Sequence, residues 1–418
     1  MNKTTKDVLV VSFALFSMFF GAGNVIFPPY LGLISGKEFF IATLGFVITG
    51  AGLPILAIIA ISKSQSFENF ADQVFPKFSN IFATVIMIAI GPMLAIPKTA
   101  SLTYEIVEQT IFSGINIYIA LGIFFAATMF FSLNETSVID RLGSILTPVL
   151  LVSLIILITK GLVSPIGDIA VAESPKGFGA GFVEGYQTMD AIAAIMFAFT
   201  ILKSISEKGY EGEKLVKMTS ATGVMAGLGL ALIYFGLSFL GASSSESVAQ
   251  DITRTELLIS ICQNVLGKPG LFILSVIISF ACLTTSIGLT TTAGSYFSKL
   301  SGGKVSYKQI VVLVSAISFV IARAGVEKIV VFSAPVLSVI YPAAIVLILL
   351  NIAGIKKHMV YKFAVIPSLI YGVLIVFLPA NTVEAINEIY PIFSSGFGWL
   401  PVVTVGAVIG LLIPSNEK

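Results

Sequence analysis

The chain has 418 residues, of which 56% are hydrophobic and 11% are charged, and its formal net charge is +2. A soluble globular chain carries roughly 25% charged residues, and it could not cover this much apolar surface. The composition therefore excludes a soluble protein and predicts an all-α polytopic membrane protein. The small net charge excludes a general attraction to nucleic acid.

Residues that commonly hold metals or perform catalysis are scarce in this sequence. The two cysteines, Cys262 and Cys282, are too few for a disulfide framework or a metal cluster. The single histidine, His358, follows Lys356 and Lys357 in a segment typical of a loop. A membrane-embedded enzyme would need converging acids or histidines, and the sequence has no such motif. We therefore predict no catalytic residue and no cofactor.

The first apolar run extends from Val8 to about Leu33 and follows Lys3 and Lys6, as in a secretory signal peptide. It is long enough to cross a bilayer and lacks a small-residue cleavage site, so we interpret it as the first transmembrane helix. Further apolar runs, separated by polar or Gly/Pro-rich turns, bring the predicted number of spans to twelve. The predicted spans are 8–33, 38–61, 80–108, 115–132, 142–160, 178–202, 214–240, 270–298, 309–323, 330–350, 361–378 and 397–413.

Positively charged residues are distributed unequally between the two sides of these spans. With the N-terminus inside, sixteen Lys and Arg residues fall in cytoplasmic segments and seven on the opposite side. Cytoplasmic loops are enriched in positive residues, so both termini are predicted to be cytoplasmic. Two longer loops are predicted at 161–177 and 241–269, and neither is long enough to form a separate domain.

The first and sixth predicted spans each contain a polar segment that interrupts the helix, at 21–24 and 185–190. The third and eighth spans are both unusually long. Matching features five spans apart imply two five-helix repeats of opposite orientation, at 8–160 and 178–350, followed by two additional helices at 359–413. In many secondary transporters the site lies between two such broken helices. The alternative is that the glycines only permit close helix packing.

In the first break, Gly21 and Gly23 weaken the helix, while Pro28 and Pro29 lack amide donors and disfavour helix just before them. The backbone amides after the break can bind a carboxylate, with support from the helix dipole. The free carbonyls before it can coordinate an ammonium group or a small cation. Asn24 is predicted to cap the outer half-helix or to offer its side-chain oxygen to a cation.

The eighth span contains Thr284, Thr285 and Ser286 within an apolar helix. Such hydroxyls commonly bond to carbonyls of their own helix, which would give them no further role. The broken first span favours a second interpretation. Two hydroxyls, the carbonyl of Ala281 and two carbonyls of the first span would form a five-oxygen site for a hard monovalent cation such as sodium.

Three ionisable residues, Lys98, Glu184 and Asp190, lie inside or near spans, where charges are costly and are commonly functional or paired. Lys98 is interpreted as a buried group that pairs with Asp190 or loses its proton, with snorkelling to an interface as the alternative. Asp190 would otherwise meet the ammonium group of a substrate. Glu105, near the outer end of the third span, is predicted to be solvated.

Two segments resemble the leucine–isoleucine–valine:cation symporter family of bacteria. They are Gly21-Ala22-Gly23-Asn24, followed by Pro28-Pro29, and Phe280-Ala281-Cys282-Leu283-Thr284-Thr285-Ser286-Ile287-Gly288. The resemblance covers essentially the whole chain. It implies the leucine-transporter-type fold of the amino acid–polyamine–organocation superfamily, with two inverted five-helix repeats and two peripheral helices.

The later segment is also similar to that of bacterial neurotransmitter-type sodium symporters, which share this fold. The similarity implies a sodium site on the carbonyls of Ser17, Phe20 and Ala281 and the hydroxyls of Thr284 and Thr285. It also implies that Gly21, Ala22 and Gly23 bind the substrate carboxylate and that Asn24 belongs to a first sodium site. The segment 185–190 does not follow the same pattern, so the similarity assigns it no ligand of that first site.

We therefore expect a secondary active symporter that imports leucine, isoleucine or valine with sodium by alternating access. The amino acid would bind between the two breaks, where the sixth span supplies Tyr186, Gln187 and Met189. Its branched side chain would lie near Met93, Met189 and Phe197.

Other mechanisms stay open at this stage. Proton coupling through Lys98 or Asp190 is the main alternative, and a channel or a membrane-embedded enzyme are less favoured classes. The expected location is the bacterial inner membrane, with lipids around the chain, no obligatory protein partner and no nucleic acid.

Overall fold

The computed structural model describes residues 3–133, 138–172, 176–249, 251–379, 381–383, 386 and 390–414. Within these ranges the chain forms helices joined by short connections, without a β-strand. The predicted all-α architecture is therefore confirmed. A helix pairs nearly all of its backbone polar groups within one segment, which an apolar surrounding requires.

In the first half of the chain, helices follow one another closely. Their bounds are α1 Lys3–Phe19, α2 Ala22–Ser35, α3 Phe39–Val47, α4 Leu53–Ser64, α5 Phe67–Ala71, α6 Phe78–Ile88, α7 Ala95–Thr110, α8 Ile117–Leu133 and α9 Val138–Val163. A 3-10 turn at Gly36–Glu38 separates α2 from α3. π-helical segments at Ile48–Gly52 and Ala89–Met93 connect α3 to α4 and α6 to α7.

The second half has longer helices. Their bounds are α10 Phe178–Glu184, α11 Asp190–Glu207, α12 Gly212–Ser243, α13 Arg254–Leu300, α14 Tyr307–Ala322, α15 Val326–Ile352, α16 His358–Phe377, α17 Pro391–Ser394 and α18 Trp399–Leu412. A 3-10 turn at Gly185–Thr188 connects α10 to α11.

Several helical stretches, some made of consecutive helices, are long and apolar enough to cross a membrane. In the described part of the chain they are Ala22–Ser64, Phe78–Thr110, Gly212–Ser243, Arg254–Leu300, Val326–Ile352 and His358–Phe377. Shorter apolar helices occupy Ile117–Leu133, Pro148–Val163, Tyr307–Ala322 and Trp399–Leu412. Each predicted span overlaps a helix of the structure, and the total of twelve crossings stays a prediction.

The predicted loop 241–269 is wrong, because much of it is helical. α13 begins at Arg254, well before the predicted eighth span. Thr253 and Glu256 form its capping box, in which each side chain accepts a hydrogen bond from the other's backbone amide. The helix changes direction at Gly267, whose φ of 71° lies in the left-handed region that favours glycine.

The first span is broken where the glycines predict it, although the break is shorter than expected. Phe20 and Gly21 lie outside the helices, and α2 already begins at Ala22. Pro28 and Pro29 lie inside α2 and do not end it. They remove two amide donors from its middle turns.

The sixth span is broken at the predicted segment 185–190. After the 3-10 turn, Met189 has a φ of 64°, and α11 begins at Asp190. A left-handed residue cannot continue a right-handed helix, so the backbone polar groups on both sides of Met189 lack regular helical partners.

Glycines bring the helices around the breaks into backbone contact. A β-carbon at Gly32 of α2 would lie 1.9 Å from the Ser238 carbonyl oxygen of α12. A β-carbon at Gly181 of α10 would lie 1.8 Å from the Ala42 carbonyl oxygen of α3. Only glycine permits these approaches, so α2 is held against α12 and α10 against α3.

The additional helices predicted at 359–413 correspond to α16 and α18. They pack through Gly406, where a β-carbon would lie 1.8 Å from the Phe363 carbonyl oxygen. Just before α18, the ring of Phe397 lies 4.8 Å from that of Phe182 in α10. The C-terminal helices therefore contact α10, the first half of the broken sixth span. The division into two five-helix repeats stays a prediction.

Candidate functional site

The two helix breaks contact each other in the interior of the bundle. A β-carbon at Gly23, in the first turn of α2, would lie 3.1 Å from the Thr188 Cα and 3.1 Å from the Phe27 ring. A larger residue here would therefore displace the 3-10 turn or the Phe27 ring by a few tenths of an ångström. The predicted substrate residues Gly21, Ala22 and Gly23 thus lie beside the segment that contains Gln187.

Asn24 joins the two breaks through its side chain, which is 1% exposed. Its Oδ1 accepts from the Gly21 amide at 3.0 Å, which caps α2 from within. Its Nδ2 donates to Asp190 Oδ2 at 2.6 Å and to the Tyr234 hydroxyl at 2.5 Å. The predicted capping role of Asn24 is present, and the amide nitrogen faces an acid.

Tyr234 brings α12 and the π-helical segment Ile48–Gly52 into the same network. Its hydroxyl donates to the Gly50 carbonyl at 3.4 Å, and its ring packs edge-on against Phe46 at 5.0 Å. A π-helical turn leaves carbonyls without regular partners, and such turns are frequent at functional sites. This segment is therefore part of the candidate site.

Lys98 is 2% exposed, and the predicted direct pair with Asp190 is not formed. Its ammonium group donates to the backbone carbonyl of Gln187 at 2.5 Å and lies 4.9 Å from the centre of the Phe27 ring. Asp190, 6% exposed, bonds to Asn24 instead. The break in the sixth span offers Lys98 a carbonyl without a helical partner, and this contact replaces the expected ion pair.

The other predicted residues of the sixth span face different directions. The Gln187 side chain accepts from the Ser333 hydroxyl of α15 at 2.6 Å. Tyr186 stacks on Tyr341 of the same helix, with ring centres 4.2 Å apart. Met189 is buried in the core. Two of the three residues thus fix the break against α15.

Met93 and Phe197, the predicted contacts of a branched side chain, are partly buried and pack against the hydrophobic core. Met93 closes the π-helical segment Ala89–Met93, where Gly91 has non-helical backbone angles. That kink precedes the helix that carries Lys98.

The predicted cation ligands of the eighth span lie together on one turn of α13. Thr284 and Thr285 both donate to the Ala281 carbonyl, at 2.9 Å and 3.0 Å. A β-carbon at Gly21 would lie 3.5 Å from the Thr285 hydroxyl oxygen. The hydroxyls thus bond within their helix, as the simpler interpretation expects. The Thr285 hydroxyl also lies beside the first break. Ser17 and Phe20 belong to the last turn of α1 and the residue after it.

Above the breaks, towards the end of the bundle predicted to face outwards, lies the Arg254 cluster. It contains Arg254, Glu184, Glu327, Phe27 and Tyr30. Arg254 forms ion pairs with Glu327 and, at 3.3 Å, with Glu184, and its guanidinium lies 4.0 Å from the centre of the Tyr30 ring. The cluster joins α2, α10, α13 and α15 at this end of the site.

Glu105 is not solvated as predicted. Its carboxylate accepts from the Val326 amide at 2.8 Å and from the Thr255 hydroxyl at 2.5 Å. It therefore links α7 to the first turns of α15 and α13. The helical segment after Arg254, which the sequence interpretation missed, provides this partner.

Sequence reasoning also missed Tyr234, Ser333 and Glu327. An aromatic hydroxyl inside an apolar span is a usable signal for Tyr234, because buried tyrosine hydroxyls usually have a partner. Ser333 and Glu327 carry no comparable signal, since serine and a helix-terminal glutamate are ordinary in helices. Only the fold brings them to Gln187 and Arg254.

The chain is similar to other bacterial proteins over nearly its whole length. The family model described as branched-chain amino acid transport protein matches residues 4–417. The branched-chain amino acid permease BraB of Bacillus subtilis is 38% identical, over 98% of this chain and 95% of its own length. The branched-chain amino acid permease BrnQ of the same organism is 35% identical, over 97% and 96% respectively.

The fold is also that of solved transporters. The structure of Mhp1, a nucleobase-cation-symport-1 family transporter, in a closed conformation with bromovinylhydantoin bound, aligns with a TM-score of 0.61 over 95% of this chain and 91% of its own. The sequence identity is 14%, so the similarity concerns the fold alone. The predicted leucine-transporter-type fold is confirmed.

Proposed function

The chain belongs to the family of branched-chain amino acid transport proteins, and we propose that it is a symporter that couples the uptake of leucine, isoleucine or valine to sodium. It is a multi-pass protein of the bacterial plasma membrane and a transporter rather than an enzyme. In the proposed orientation both termini are cytoplasmic and the Arg254 cluster faces outwards.

The contact between the two helix breaks carries this proposal. An amino acid presents a carboxylate, an ammonium group and a side chain. The first amides of α2, at Ala22 and Gly23, have no partners within the helix and suit the carboxylate. The Gln187 carbonyl and the buried carboxylate of Asp190 suit the ammonium group. One site between the breaks thus meets both charges of the zwitterion.

Met93, Met189 and Phe197 offer an apolar surface for the branched side chain. Burial of each methylene group contributes about 0.8 kcal/mol, so such a surface favours leucine, isoleucine and valine over alanine. It discriminates only weakly among the three, because they differ by one methylene at most.

Sodium would bind between α1 and α13. The carbonyls of Ser17, Phe20 and Ala281 and the hydroxyls of Thr284 and Thr285 are neutral oxygen ligands of the kind that a hard monovalent cation prefers. The proximity of Gly21 to Thr285 supports this location. An ion that bridges the two helices would favour the state in which they are close, and this difference in affinity couples the ion to transport.

Proton coupling is the second candidate, because Lys98 and Asp190 are both buried beside the breaks. Protonation of Asp190 would change its bond with Asn24 and thereby the contact between the first and sixth spans. Sodium is favoured because the hydroxyl-bearing turn of α13 faces the first break.

Uptake of radiolabelled leucine into proteoliposomes tests the function. With an inward sodium gradient and both pH and membrane potential clamped, leucine should accumulate against its gradient, and valine and isoleucine should compete. Accumulation driven by a proton gradient without sodium would overturn sodium coupling. A flux that neither saturates nor shows counterflow would overturn the carrier mechanism itself.

A further inference from the structure

Lys98 makes a contact that has no role in the proposed transport cycle. Its ammonium group is buried, lies beside the Phe27 ring, and donates at 2.5 Å to the Gln187 carbonyl. An amine of the chain itself thus donates to a carbonyl of the break.

The Gln187 carbonyl is available because of the local backbone. It belongs to the 3-10 turn Gly185–Thr188, and the left-handed Met189 that follows prevents a regular helical bond to it. A buried carbonyl without a partner costs roughly 1–3 kcal/mol, so something must donate to it whenever the site is closed. Lys98 does so from α7.

The amino group of a bound amino acid has the same chemistry. It is also a protonated amine with three N–H donors, and it would meet the same carbonyl and the nearby carboxylate of Asp190. Two ammonium groups cannot both lie within hydrogen-bond distance of one carbonyl without strong repulsion.

We propose that Lys98 holds, in the substrate-free carrier, the position on the Gln187 carbonyl that the amino group of the substrate takes on binding, so that the lysine and the substrate compete for one site. This inference rests on the proposed function, because it requires an amino acid between the breaks. Lys98 is then a positioning residue, which satisfies the site when it is empty and withdraws when it is loaded.

Competition has a consequence for the empty carrier. A symporter must return without substrate after each delivery, and its closed empty state needs a partner for the Gln187 carbonyl. Lys98 supplies that partner. Exchange of internal for external leucine involves only loaded states, so it does not need the lysine.

Equilibrium binding of two ligands to purified full-length protein tests the competition. Leucine carries the amino group, whereas 4-methylpentanoate has the same carboxylate and branched chain without it. Lys98→Met retains an unbranched side chain without charge, so it removes the amine that competes with the amino group of leucine. The ratio of the dissociation constant of 4-methylpentanoate to that of leucine should therefore rise about tenfold or more, as expected for a charge-assisted hydrogen bond.

General damage to the site does not change the ratio, because a poorly folded site weakens the binding of both ligands alike. Lys160→Met, at the exposed end of α9, is the matched control and should leave the ratio unchanged. Lys98→Gln, which retains a neutral donor, is the second variant and should raise the ratio by less than Lys98→Met. An unchanged or lower ratio in both Lys98 variants would overturn the competition.

Transport assays give an independent readout. Lys98→Met should retain leucine exchange and lose most net uptake, because only the return of the empty carrier needs Lys98. Equal loss of exchange and net uptake would overturn the inference and leave the symporter proposal intact. Failure of the unmodified protein to bind leucine would overturn the proposed function and the inference together.

Discussion

The side-chain amide of Asn24 donates to the carboxylate of Asp190 over 2.6 Å, and this bond connects the two broken helices across the centre of the molecule. Both residues lie in the first turn of a half-helix, α2 and α11. Any motion that separates the first span from the sixth must break this bond, whereas a motion that carries both helices together can retain it.

Asp190→Asn tests the importance of this carboxylate. The substitution keeps the size of the side chain but removes the charge that Asn24 and the substrate ammonium would meet. We expect leucine uptake to fall about tenfold or more, because hydrogen bonds to charged groups are the stronger kind. Uptake is normalised to protein in the membrane, and Asp168→Asn, in an exposed loop, is the control. Normal uptake by Asp190→Asn would show that the acid is dispensable.

Thr285→Ala and Thr284→Ala test the sodium site. Each removes one hydroxyl ligand while retaining the apolar packing of α13, so the sodium concentration for half-maximal uptake should rise severalfold. Thr292→Ala is the matched control, because Thr292 bonds to the Gly288 carbonyl of the same helix at 2.8 Å. If the sodium dependence is the same in all three variants, the hydroxyls of this turn do not bind the ion.

Gly23→Ala tests the approach of the two breaks. Its β-carbon would lie 3.1 Å from the Thr188 Cα, so the 3-10 turn must shift away from α2. We expect the dissociation constant for leucine to rise at least about tenfold, because the carboxylate and ammonium sites no longer match. Gly288→Ala, whose added β-carbon meets no atom within 4 Å, is the control.

The carboxylate part of this site has a separate test with ligands. Leucine methyl ester lacks the anion that the α2 amides would bind, so it should compete poorly with radiolabelled leucine. Equal competition by leucine and its ester would place the carboxylate elsewhere.

Arg254→Met tests whether the Arg254 cluster closes the end of the site that is proposed to face outwards. It retains a long apolar side chain but removes both ion pairs of the Arg254 cluster. Backbone hydrogen exchange in residues 178–189 should accelerate, because α10 is then held less firmly to α13 and α15. Arg323→Met is the control, since Arg323 stacks on Tyr118 at an exposed position. Unchanged exchange would mean that the cluster does not close the site.

The sequence allowed the two breaks to be located because their causes are local. Gly21, Gly23 and the polar run 185–190 disfavour helix whatever surrounds them. The apolar runs likewise predict helices, since an apolar surrounding leaves few other choices.

The missed features depend on partners distant in sequence or on weak local signals. The helix that begins at Arg254 is too polar for a hydropathy pattern, although the capping box of Thr253 and Glu256 was available as a start signal. The expectation that Lys98 pairs with Asp190 failed for another reason. Charge favours that pair. The position of the Gln187 carbonyl and its lack of a helical partner, however, depend on backbone angles that no residue pattern specifies.

Met189 places backbone strain in the second break. Its left-handed backbone, with a φ of 64°, is unfavourable by roughly 1–2 kcal/mol for a residue with a β-carbon. A continuous sixth helix would relieve this strain and would also give the Gln187 carbonyl a regular partner. Lys98 and Ser333, which donate to Gln187 from other helices, therefore help to stabilise the bent form. In the proposed competition, a substrate that replaces Lys98 must supply an equivalent hydrogen bond to the Gln187 carbonyl. Part of its binding energy then offsets the backbone strain at Met189.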